Sequence, residues 1–454
     1  MGVYHTYKDE VKAIFKLSIP IMIAQVGTVL MGLSNSVMIA KIGTQSLAAS
    51  GIANIVYILF IVFGMGILSC VAPMVSNAFA SENKERLGSL FRSSVEVAFL
   101  TSLVLTAAMF IVAENFEHFP ISQDIAPLAK DYMRVLAITT FPYMLFMATK
   151  QFSDGLTHTK PAVYFTAIGV VVNIFLNWVF IYGKFNIPQM GIMGSGFATF
   201  IARMVMLILM LGYLLVNSNL RKFIPPLSAN INTGKNIIRI FKLGIPAGMQ
   251  LFFEIGAFTT AAFFVAKLGS TESAAYQIGY SLASISTMLA IGISVAGSIR
   301  VAKAVGEKNI ELIKKTGISA FISAAMIMLI CCIIFIVFKI ELVYIYNKHD
   351  QKLIQVASQI LLIVGFFQIS DGLQVTALGV LRGVSDVNIP TVITLVAYWA
   401  IAIPVGYLLG FTMGYGVDGI WYGLLIGLSV SALLLVLRFY YLMKPEKINQ
   451  VINQ

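Results

Sequence analysis

The chain has 454 residues, of which 58% are hydrophobic and 11% are charged, and its formal net charge at pH 7 is +11. Soluble domains carry about 25% charged residues, so this composition excludes an ordinary soluble protein. Its mean hydropathy of +0.88 and its recurring apolar runs indicate a polytopic, all-α membrane protein. The runs are too long and continuous for the alternating strands of a membrane β-barrel.

No cleavable signal peptide is expected, because polar residues through Lys12 lead into a first apolar run that is too long for one.

We predict twelve transmembrane helices, six in each half of the chain. In the first half they cover approximately 13–38, 46–74, 92–113, 128–150, 161–183 and 191–216. In the second half they cover approximately 240–266, 273–299, 316–338, 353–381, 389–411 and 417–442. With a cytoplasmic N-terminus, 22 of the 31 basic residues lie inside, 8 lie outside and Arg203 lies within a span. This bias follows the positive-inside rule, so the net charge reports topology and not a nucleic-acid partner, and both termini are expected in the cytoplasm.

The chain contains an internal repeat. The sequence "FKLSIP" at 15–20 returns as "FKLGIP" at 241–246, and "AKIG" at 40–43 returns as "AKLG" at 266–269. Because six spans is an even number, both halves enter the membrane from the same side, and the two six-helix lobes are expected to be related by a pseudo-two-fold axis along the membrane normal. The predicted domains are an N-lobe (1–216), a cytoplasmic linker (217–236) and a C-lobe (237–454).

Two acidic residues interrupt apolar runs of the C-lobe. Glu254 lies 12 residues after Lys242 and 13 before Lys267, which is roughly 18 Å from either flank of a helix. Asp371 lies 11 residues before Arg382, about 16 Å from the inner flank. Two carboxylates at similar depth in a low-dielectric site either take up a proton or share a cation. We therefore expect Glu254 and Asp371 to bind the coupling ion, as metal ligands if that ion is Na⁺, although a structural polar contact is the alternative.

Three glutamines of the C-lobe are weaker candidates for ion or substrate ligands. Gln250 lies one helical turn before Glu254, and Gln374 lies one turn after Asp371. Gln277 lies early in the eighth predicted span, where it can supply an amide oxygen. Polar residues of membrane helices also serve to bridge neighbouring helices, and that interpretation stays open for all three.

The N-lobe carries amides where the C-lobe carries acids. Asn35, Asn173 and Asn177 lie at comparable depth in the outer half of the membrane, and the last two share a helix face. They are predicted to line an N-lobe polar cavity that binds substrate or a cation through oxygen, with interhelical hydrogen bonding as the alternative. Amides do not titrate. Arg203, alone within its span, has no role assigned from the sequence.

Several of these stretches together resemble the multidrug and toxic compound extrusion (MATE) family, in particular its NorM-like branch. The resemblance covers essentially the whole chain and is carried by "FKLSIP", "MGLSNSVMIAKIG" and "VAPMVSNAFASEN" in the first half. In the second half it is carried by "FKLGIPAGMQLFFEIGAF" and "LQVTALGVLRGVSDVNIP". The resemblance implies a secondary active antiporter that exports amphipathic, often cationic compounds in exchange for inward Na⁺ or H⁺. The coupling acids of this branch match Glu254 and Asp371.

Departures from the family pattern locate the expected coupling in the C-lobe. Asn35 stands where the family commonly has an aspartate, and Asn177 stands where members with an N-lobe proton site have another. Phe367 replaces a tyrosine that the branch can carry one turn before the tenth-helix aspartate. An N-lobe proton site is therefore not expected.

Other function classes have weaker support. No GxxxxGK[ST] phosphate loop occurs, so no use of ATP is expected. The four histidines lie outside the apolar runs and no HExxH motif occurs, so no enzyme and no cofactor other than the coupling ion is expected. The alternative is a lipid-linked saccharide flippase of the same superfamily. Such flippases commonly line their cavity with several basic residues, whereas Arg203 is the only Lys or Arg well within a span.

The expected partners are small-molecule drugs, dyes and organic cations, together with membrane lipids. We expect a monomeric, multi-pass protein of the cytoplasmic (inner) membrane.

Overall fold

The structure is a computed structural model that describes residues 6–118, 122, 124–226 and 231–452, the last three of these by their backbone alone. In this part of the chain twelve long helices follow one another and no strand occurs. The helices of the first half are α1 Tyr7–Ala40, α2 Thr44–Ala80, α3 Lys84–Glu114, α4 Ala126–Gly155, α5 Lys160–Tyr182 and α6 Gly191–Val216. Those of the second half are α7 Gly234–Ala266, α8 Ser270–Gly306, α9 Ile310–Val337, α10 Gln351–Gly383, α11 Asn388–Thr412 and α12 Gly416–Leu442. Shorter helices in the connections are Phe116–His118, Ser218–Arg221, Lys339–Tyr344 and Pro445–Ile452.

The prediction of an all-α membrane protein is confirmed. Eleven helices in the described part of the chain are long and apolar enough to cross a membrane. The remaining long helix, α4, coincides with the fourth predicted span but is not one of the eleven. Its uncharged stretch is short, because Arg134 and Lys150 leave only residues 135–149 between them. At 30 residues, α4 is nevertheless about 45 Å long, which exceeds the hydrocarbon thickness of a bilayer.

Two helices depart from the uninterrupted spans that the sequence predicts. The helix α2 breaks at Ser69 and Cys70, where one segment ends at Leu68 and the next begins at Val71. The helix α11 contains two π-helical segments, Val396–Ala402 and Leu408–Thr412. Local π-helical geometry often accompanies functional positions, because it redirects the side chains that it carries.

The described chain forms two compact units. The N-unit is Ile23–Gly248, and the C-unit is Met1–Met22 together with Met249–Gln454. The start of α1 therefore packs with the second half of the chain, and the start of α7 packs with the first half. The predicted domains 1–216, 217–236 and 237–454 differ from these units at both helix starts and stay a prediction. Residues 227–230 of the predicted linker lie outside the described residues.

Equivalent positions of the repeat hold these two helix starts. In the C-unit, Arg300 of α8 donates hydrogen bonds from Nε and Nη2 to the fully buried carboxylate of Glu10, at 2.9 and 2.7 Å. Thr316 of α9 donates a third, at 3.2 Å. In the N-unit, Asn236 of α7 donates to Ser89 Oγ of α3 at 2.9 Å. Glu10 and Asn236 are 226 residues apart, the spacing of the repeat, so one helix start is held by charge and the other by neutral groups.

Replacing Glu10 with alanine is expected to lower the free energy of unfolding by about 3 kcal/mol, because removal of one partner leaves the other charge of a buried pair uncompensated. Unfolding of the purified protein in mixed micelles measures this difference. The control is Glu307→Ala, which removes an exposed pair with Lys303 in the same unit and is expected to cost less than about 1 kcal/mol. Equal losses for both variants would contradict the prediction.

The core of the C-unit positions α11 beside α10 and α12. Its large buried side chains include Tyr276, Phe367, Tyr398 and Trp421. The helices α11 and α12 approach so closely that a Cβ atom on Gly423 would lie 2.3 Å from the Cα atom of Gly406. Only glycine allows that approach, and this contact fixes the helix that carries Tyr398.

Candidate functional site

The two intramembrane acids lie in the C-unit. Asp371 of α10 is 2% exposed, and its Oδ2 accepts a hydrogen bond from Thr287 Oγ1 of α8 at 2.8 Å. Glu254 of α7 is partly exposed. Glu254 lies within electrostatic reach of Asp371. Within the described residues neither acid forms an ion pair with a basic side chain, so the pair has no fixed countercharge.

A tyrosine that the sequence analysis did not single out lies beside both acids. Tyr398 is fully buried in the first π-helical segment of α11, within electrostatic reach of Glu254 and Asp371. Its hydroxyl donates to Gln374 Oε1 at 3.0 Å. Gln374 is thus brought to the acid pair through Tyr398. The available signal was a lone tyrosine inside an apolar run, which is also typical of an ordinary core residue.

Aromatic rings surround the acids on the side of α7. Phe258 lies one turn after Glu254, and its ring centroid is 5.6 Å from Tyr280, 6.0 Å from Phe367 and 6.3 Å from Tyr398. Tyr280 also lies within electrostatic reach of Glu254. These rings keep the local dielectric low, so the two carboxylates interact with each other and with a cation more strongly than they would in water.

Buried amides flank Asp371 on its own helix. Gln368, one turn earlier, accepts a hydrogen bond on Oε1 from Ser286 Oγ at 2.5 Å. The Nε2 groups of Gln368 and Gln374 are both buried and make no hydrogen bond to another described residue. Unpaired buried amides are costly, roughly 1–3 kcal/mol each, and such groups are typical of sites that exchange water or ligands.

The donor set fits a small hard cation or a proton. It consists of two carboxylates with the hydroxyl groups of Thr287 and Tyr398 nearby, and oxygen ligands are those that hard cations prefer. In the described part of the chain there is no cluster of three or more His, Cys, Asp or Glu side chains.

The other two predicted glutamines do not join the acid pair. Gln250 is 1% exposed and donates through Nε2 to Val387 O at 3.2 Å and to Thr391 Oγ1 at 3.0 Å. It bridges α7 to the start of α11, as the structural interpretation predicts. Gln277 is exposed on α8 and makes no hydrogen bond within the described chain.

The three predicted asparagines of the first half meet in the N-unit. The Nδ2 groups of Asn35 and Asn173 both donate to Thr199 Oγ1 of α6, at 3.1 and 3.2 Å. Asn177 Nδ2 donates to Asn35 Oδ1 at 2.6 Å and to Asn173 Oδ1 at 3.2 Å. We call these four residues the amide cluster. It is buried, neutral and joined internally, and Thr199 is the member that the sequence analysis missed.

Arg203 lies one turn after Thr199 on α6, and its partners are aromatic and hydroxyl groups. Its Nη1 donates to the hydroxyl of Tyr57, and to Thr139 Oγ1 at 2.7 Å. The guanidinium carbon lies 4.5 Å from the ring centroid of Tyr143. The sequence showed an isolated arginine but not the residues that stabilise it.

Comparison with known proteins assigns the family. A family model described as MatE matches residues 20–179 and 246–408, and the two matches begin 226 residues apart, like the internal repeat. This chain belongs to the MatE family. Its similarity to relatives called "Multidrug resistance protein NorM" extends over nearly the whole length, which confirms the NorM-like resemblance. The relative from Aliivibrio fischeri is 32% identical over 462 residues, with 99% of each chain covered, and that from Vibrio cholerae is 33% identical over 450 residues, with 97% of this chain and 98% of the relative covered.

Solved structures with the same fold are also MatE proteins. A structure titled "Crystal structure of eukaryotic MATE transporter AtDTX14" has a TM-score of 0.88 at 18% identity and covers 98% of both chains. Another, titled "Outward-facing conformation of a multidrug resistance MATE family transporter of the MOP superfamily", has a TM-score of 0.86 at 20% identity and covers 96% of both. At these identities the likeness concerns the fold alone. MatE membership confirms that the chain is an integral membrane protein and not an enzyme.

Proposed function

We propose that this MatE protein is a multidrug efflux antiporter, which exports amphipathic, often cationic organic compounds in exchange for inward Na⁺ or H⁺. The names of its relatives support export of multiple drugs. The observation that carries the coupling proposal is the acid pair of the C-unit. Glu254 and Asp371 lie together in an apolar surrounding without a basic partner in the described chain, so their charge is available to a mobile cation.

Alternating access explains how ion binding drives export. When the protein faces outward, a cation or proton neutralises the repulsion between Glu254 and Asp371 and stabilises the state that releases substrate. When it faces inward, the ion leaves to the cytoplasm and substrate binds again. An inward-negative potential of 100 mV contributes roughly 2.3 kcal/mol for each elementary charge moved. Ion and substrate are coupled because they have opposite effects on the same conformational equilibrium.

The first half of the chain supports a coupling site confined to the C-unit. The amide cluster has no titratable member, and its side chains are joined by four hydrogen bonds, although the buried Asn177 Oδ1 has no partner among the described residues. A network of neutral amides can form hydrogen bonds with a substrate. It cannot take up and release a proton in exchange for that substrate. We therefore assign ion exchange to Glu254 and Asp371, and contact with substrate to Asn35, Asn173 and Asn177.

The remaining parts of the proposal concern location and partners. The protein resides in the cytoplasmic (inner) membrane with both termini in the cytoplasm, as the distribution of basic residues favours. It acts as a monomer on small-molecule drugs, dyes and organic cations, in contact with membrane lipids and without ATP.

Ethidium efflux from proteoliposomes tests this function, with Na⁺ and pH gradients imposed separately. The wild-type protein is expected to export the dye several-fold faster with an imposed Na⁺ or pH gradient than without one, when Na⁺ or H⁺ moves down that gradient in the direction opposite to the dye. Ionophores that collapse the gradient provide the control. Dye movement that ignores both gradients would contradict coupling. Transport of a labelled lipid-linked sugar without ethidium transport would favour the flippase.

A further inference from the structure

Two half-buried arginines, Arg86 and Arg239, lie near each other at the starts of α3 and α7 in the N-unit. The two helix starts are in contact, because Ser89 Oγ of α3 accepts a hydrogen bond from Asn236 Nδ2 of α7 at 2.9 Å and donates one to the carbonyl of Asn232 at 3.1 Å. Arg86 lies three residues before Ser89, on the same face of α3. Arg239 lies three residues after Asn236, on the same face of α7. The two guanidinium groups therefore flank this contact, within electrostatic reach of each other.

Neither arginine has an acidic partner in the described chain. Arg86 Nη1 donates to the neutral Asn77 Oδ1 of α2 at 3.2 Å, and Arg239 makes no hydrogen bond or ion pair with a described residue. The residues outside the described part of the chain contain no Asp or Glu. The two like charges therefore repel each other in a partly buried position, where charges interact more strongly than they do in water.

The equivalent place in the C-unit carries its own countercharge. There the buried carboxylate of Glu10 accepts hydrogen bonds from Arg300 at the start of α1. Asn236 occupies the position of Glu10 in the repeat and is neutral. The N-unit thus brings two arginines, without a carboxylate, to the place where the C-unit pairs one arginine with its own acid. A bound anion would supply the missing negative charge.

The depth of the two arginines corresponds to the headgroup region of a bilayer. The helices α3 and α7 have 31 and 33 residues, so they are about 46 and 50 Å long, slightly longer than the whole bilayer of about 40–45 Å. Arg86 is the third residue of α3 and Arg239 is the sixth of α7, within roughly 8 Å of the helix starts. On the proposed topology these starts face the cytoplasm, where basic pockets between membrane helices bind anionic headgroups.

Exposed apolar side chains beside Arg239 favour a lipid as the source of the anion. Ile238 is 69% exposed, and Ile245, two turns later on α7, is 46% exposed. The acyl chains of a phospholipid would cover such side chains, whereas free phosphate would leave them exposed. Guanidinium groups bind phosphate oxygens through parallel N–H donors. A phosphate group that is joined to acyl chains therefore fits both the charged and the apolar part of this surface.

We propose that Arg86 and Arg239 form a binding site for the phosphodiester group of an anionic phospholipid. The bound phosphate joins α3 to the start of α7, as the Glu10 carboxylate joins α1 to α8 in the C-unit. The site uses none of the residues that we assign to the coupling ion or to substrate, so it does not depend on the proposed function. Only the choice of the cytoplasmic leaflet rests on the proposed topology.

Native mass spectrometry of the purified full-length protein tests the site. The protein is released from detergent that contains equal amounts of phosphatidylglycerol and phosphatidylcholine, which share a phosphodiester but differ in net charge. The wild type is expected to retain phosphatidylglycerol about tenfold more than phosphatidylcholine, equivalent to about 1.4 kcal/mol. In Arg86→Gln and in Arg239→Gln this ratio should fall to within about twofold of unity, since each arginine near a membrane surface contributes about 1 kcal/mol to binding of anionic lipid.

Arg92→Gln is the matched control. Arg92 lies on α3 six residues after Arg86, and it has an acidic partner, since its Nε lies 3.3 Å from Glu96 Oε1. The substitution removes the same charge from the same region and is expected to keep the lipid ratio within about twofold of the wild type, because exposed pairs contribute little. Equal losses in Arg92→Gln and Arg239→Gln would show general attraction to a positive surface and would overturn the site. An unchanged ratio in Arg239→Gln would overturn it as well.

Thermal unfolding in detergent distinguishes a lipid site from a purely structural role of Arg239. Arg239→Gln removes a like-charge repulsion, so its Tm without added lipid is expected to equal or exceed that of the wild type. Added phosphatidylglycerol should raise the Tm of the wild type, because a ligand that binds only the folded state stabilises it, and should leave the Tm of Arg239→Gln unchanged. A lower Tm of the variant without lipid, combined with the full response to phosphatidylglycerol, would contradict the proposal.

Inorganic phosphate, compared with chloride at equal ionic strength, distinguishes the two sources of the anion. We expect millimolar phosphate to leave the lipid ratio of the wild type unchanged. If phosphate raises the Tm of the wild type but not of Arg239→Gln, while the two lipids bind equally, the site binds free phosphate and the lipid proposal is overturned. If Arg239→Gln does not fold, Arg86→Gln decides through the same lipid ratio.

Discussion

Glu254→Gln is expected to lower gradient-driven ethidium efflux about 100-fold. Expressed as a free energy, this loss lies near the upper end of the usual range for coupling between two sites, about 1–3 kcal/mol. Glutamine has nearly the same shape as glutamate but no ionisable group. The repulsion between Glu254 and Asp371, which a coupling ion would relieve, is then absent in every state. The measurement is the initial rate of dye efflux from proteoliposomes with an imposed Na⁺ or pH gradient.

The control for this variant is Glu311→Gln. Glu311 lies in the first turn of α9, and its side chain is 76% exposed beside Lys315. This substitution makes the same chemical change in the same unit, and it is expected to leave the efflux rate within about twofold of the wild type, since exposed pairs contribute little. If Glu254→Gln kept the gradient-driven efflux of the wild type, the assignment of Glu254 to the ion site would be contradicted.

Asp371→Asn is expected to uncouple ethidium binding from ion binding. In the wild type, raising the concentration of the coupling ion should weaken ethidium binding about tenfold, because linkage makes the effect of ion on substrate equal to that of substrate on ion. In Asp371→Asn this change should fall below about twofold. The Kd of ethidium, titrated by fluorescence at several Na⁺ concentrations and at several pH values, measures the linkage and identifies the ion.

Asp350→Asn is the matched control on the same helix. Asp350 caps the start of α10, where its side chain accepts a hydrogen bond from the backbone of Leu353 at 3.0 Å. Asparagine is an equally good cap, so folding and the ion dependence of the ethidium Kd should both be preserved. Full ion dependence in Asp371→Asn would contradict the assignment of this aspartate.

Most of the fold could be predicted from the sequence, because the bilayer requires long apolar helices. The apolar runs locate all twelve long helices, and the structure extends several of them by one to three turns into polar flanks, as at Lys84 and Gly306. The break at Ser69 and Cys70 does have a signal in the sequence, which our prediction of one uninterrupted span did not use: Pro73 has no N–H to donate to the carbonyl of Ser69, four residues earlier. The packing of Glu10 with Arg300 is a contact between residues 290 positions apart, which periodicity cannot indicate.

The site could be predicted where a residue was chemically costly in its surroundings. Glu254, Asp371 and the three asparagines stood out because polar groups in apolar runs need partners. The structure places Glu254 within electrostatic reach of Asp371 and joins the asparagines by hydrogen bonds. Tyr398 did not stand out, since tyrosine is common in membrane helices. Gln250 was a weaker candidate ligand one turn before Glu254, and it bonds to the start of α11 instead. Helical spacing gives the face of a residue but not the neighbour that meets it.

The two units differ in the sign of the charged side chains within their membrane spans. The sequence showed these residues but not the groups that surround them. In the middle of its membrane spans the C-unit carries two acids without a basic partner among the described residues, whereas the N-unit carries Arg203 without an acidic one. The tyrosines that stabilise Arg203 come from α2 and α4, far away in sequence. Their convergence became visible only in the folded unit.

The central claim is that Glu254 and Asp371 together bind one exchangeable cation. Its most direct test is equilibrium binding of ²²Na⁺, together with proton uptake followed by a pH dye, in the purified wild type and in the double variant Glu254→Gln/Asp371→Asn. We predict that the wild type takes up Na⁺ or a proton saturably and releases it when ethidium is added, and that the double variant does neither. Undiminished, ethidium-sensitive ion uptake by the double variant would contradict the claim.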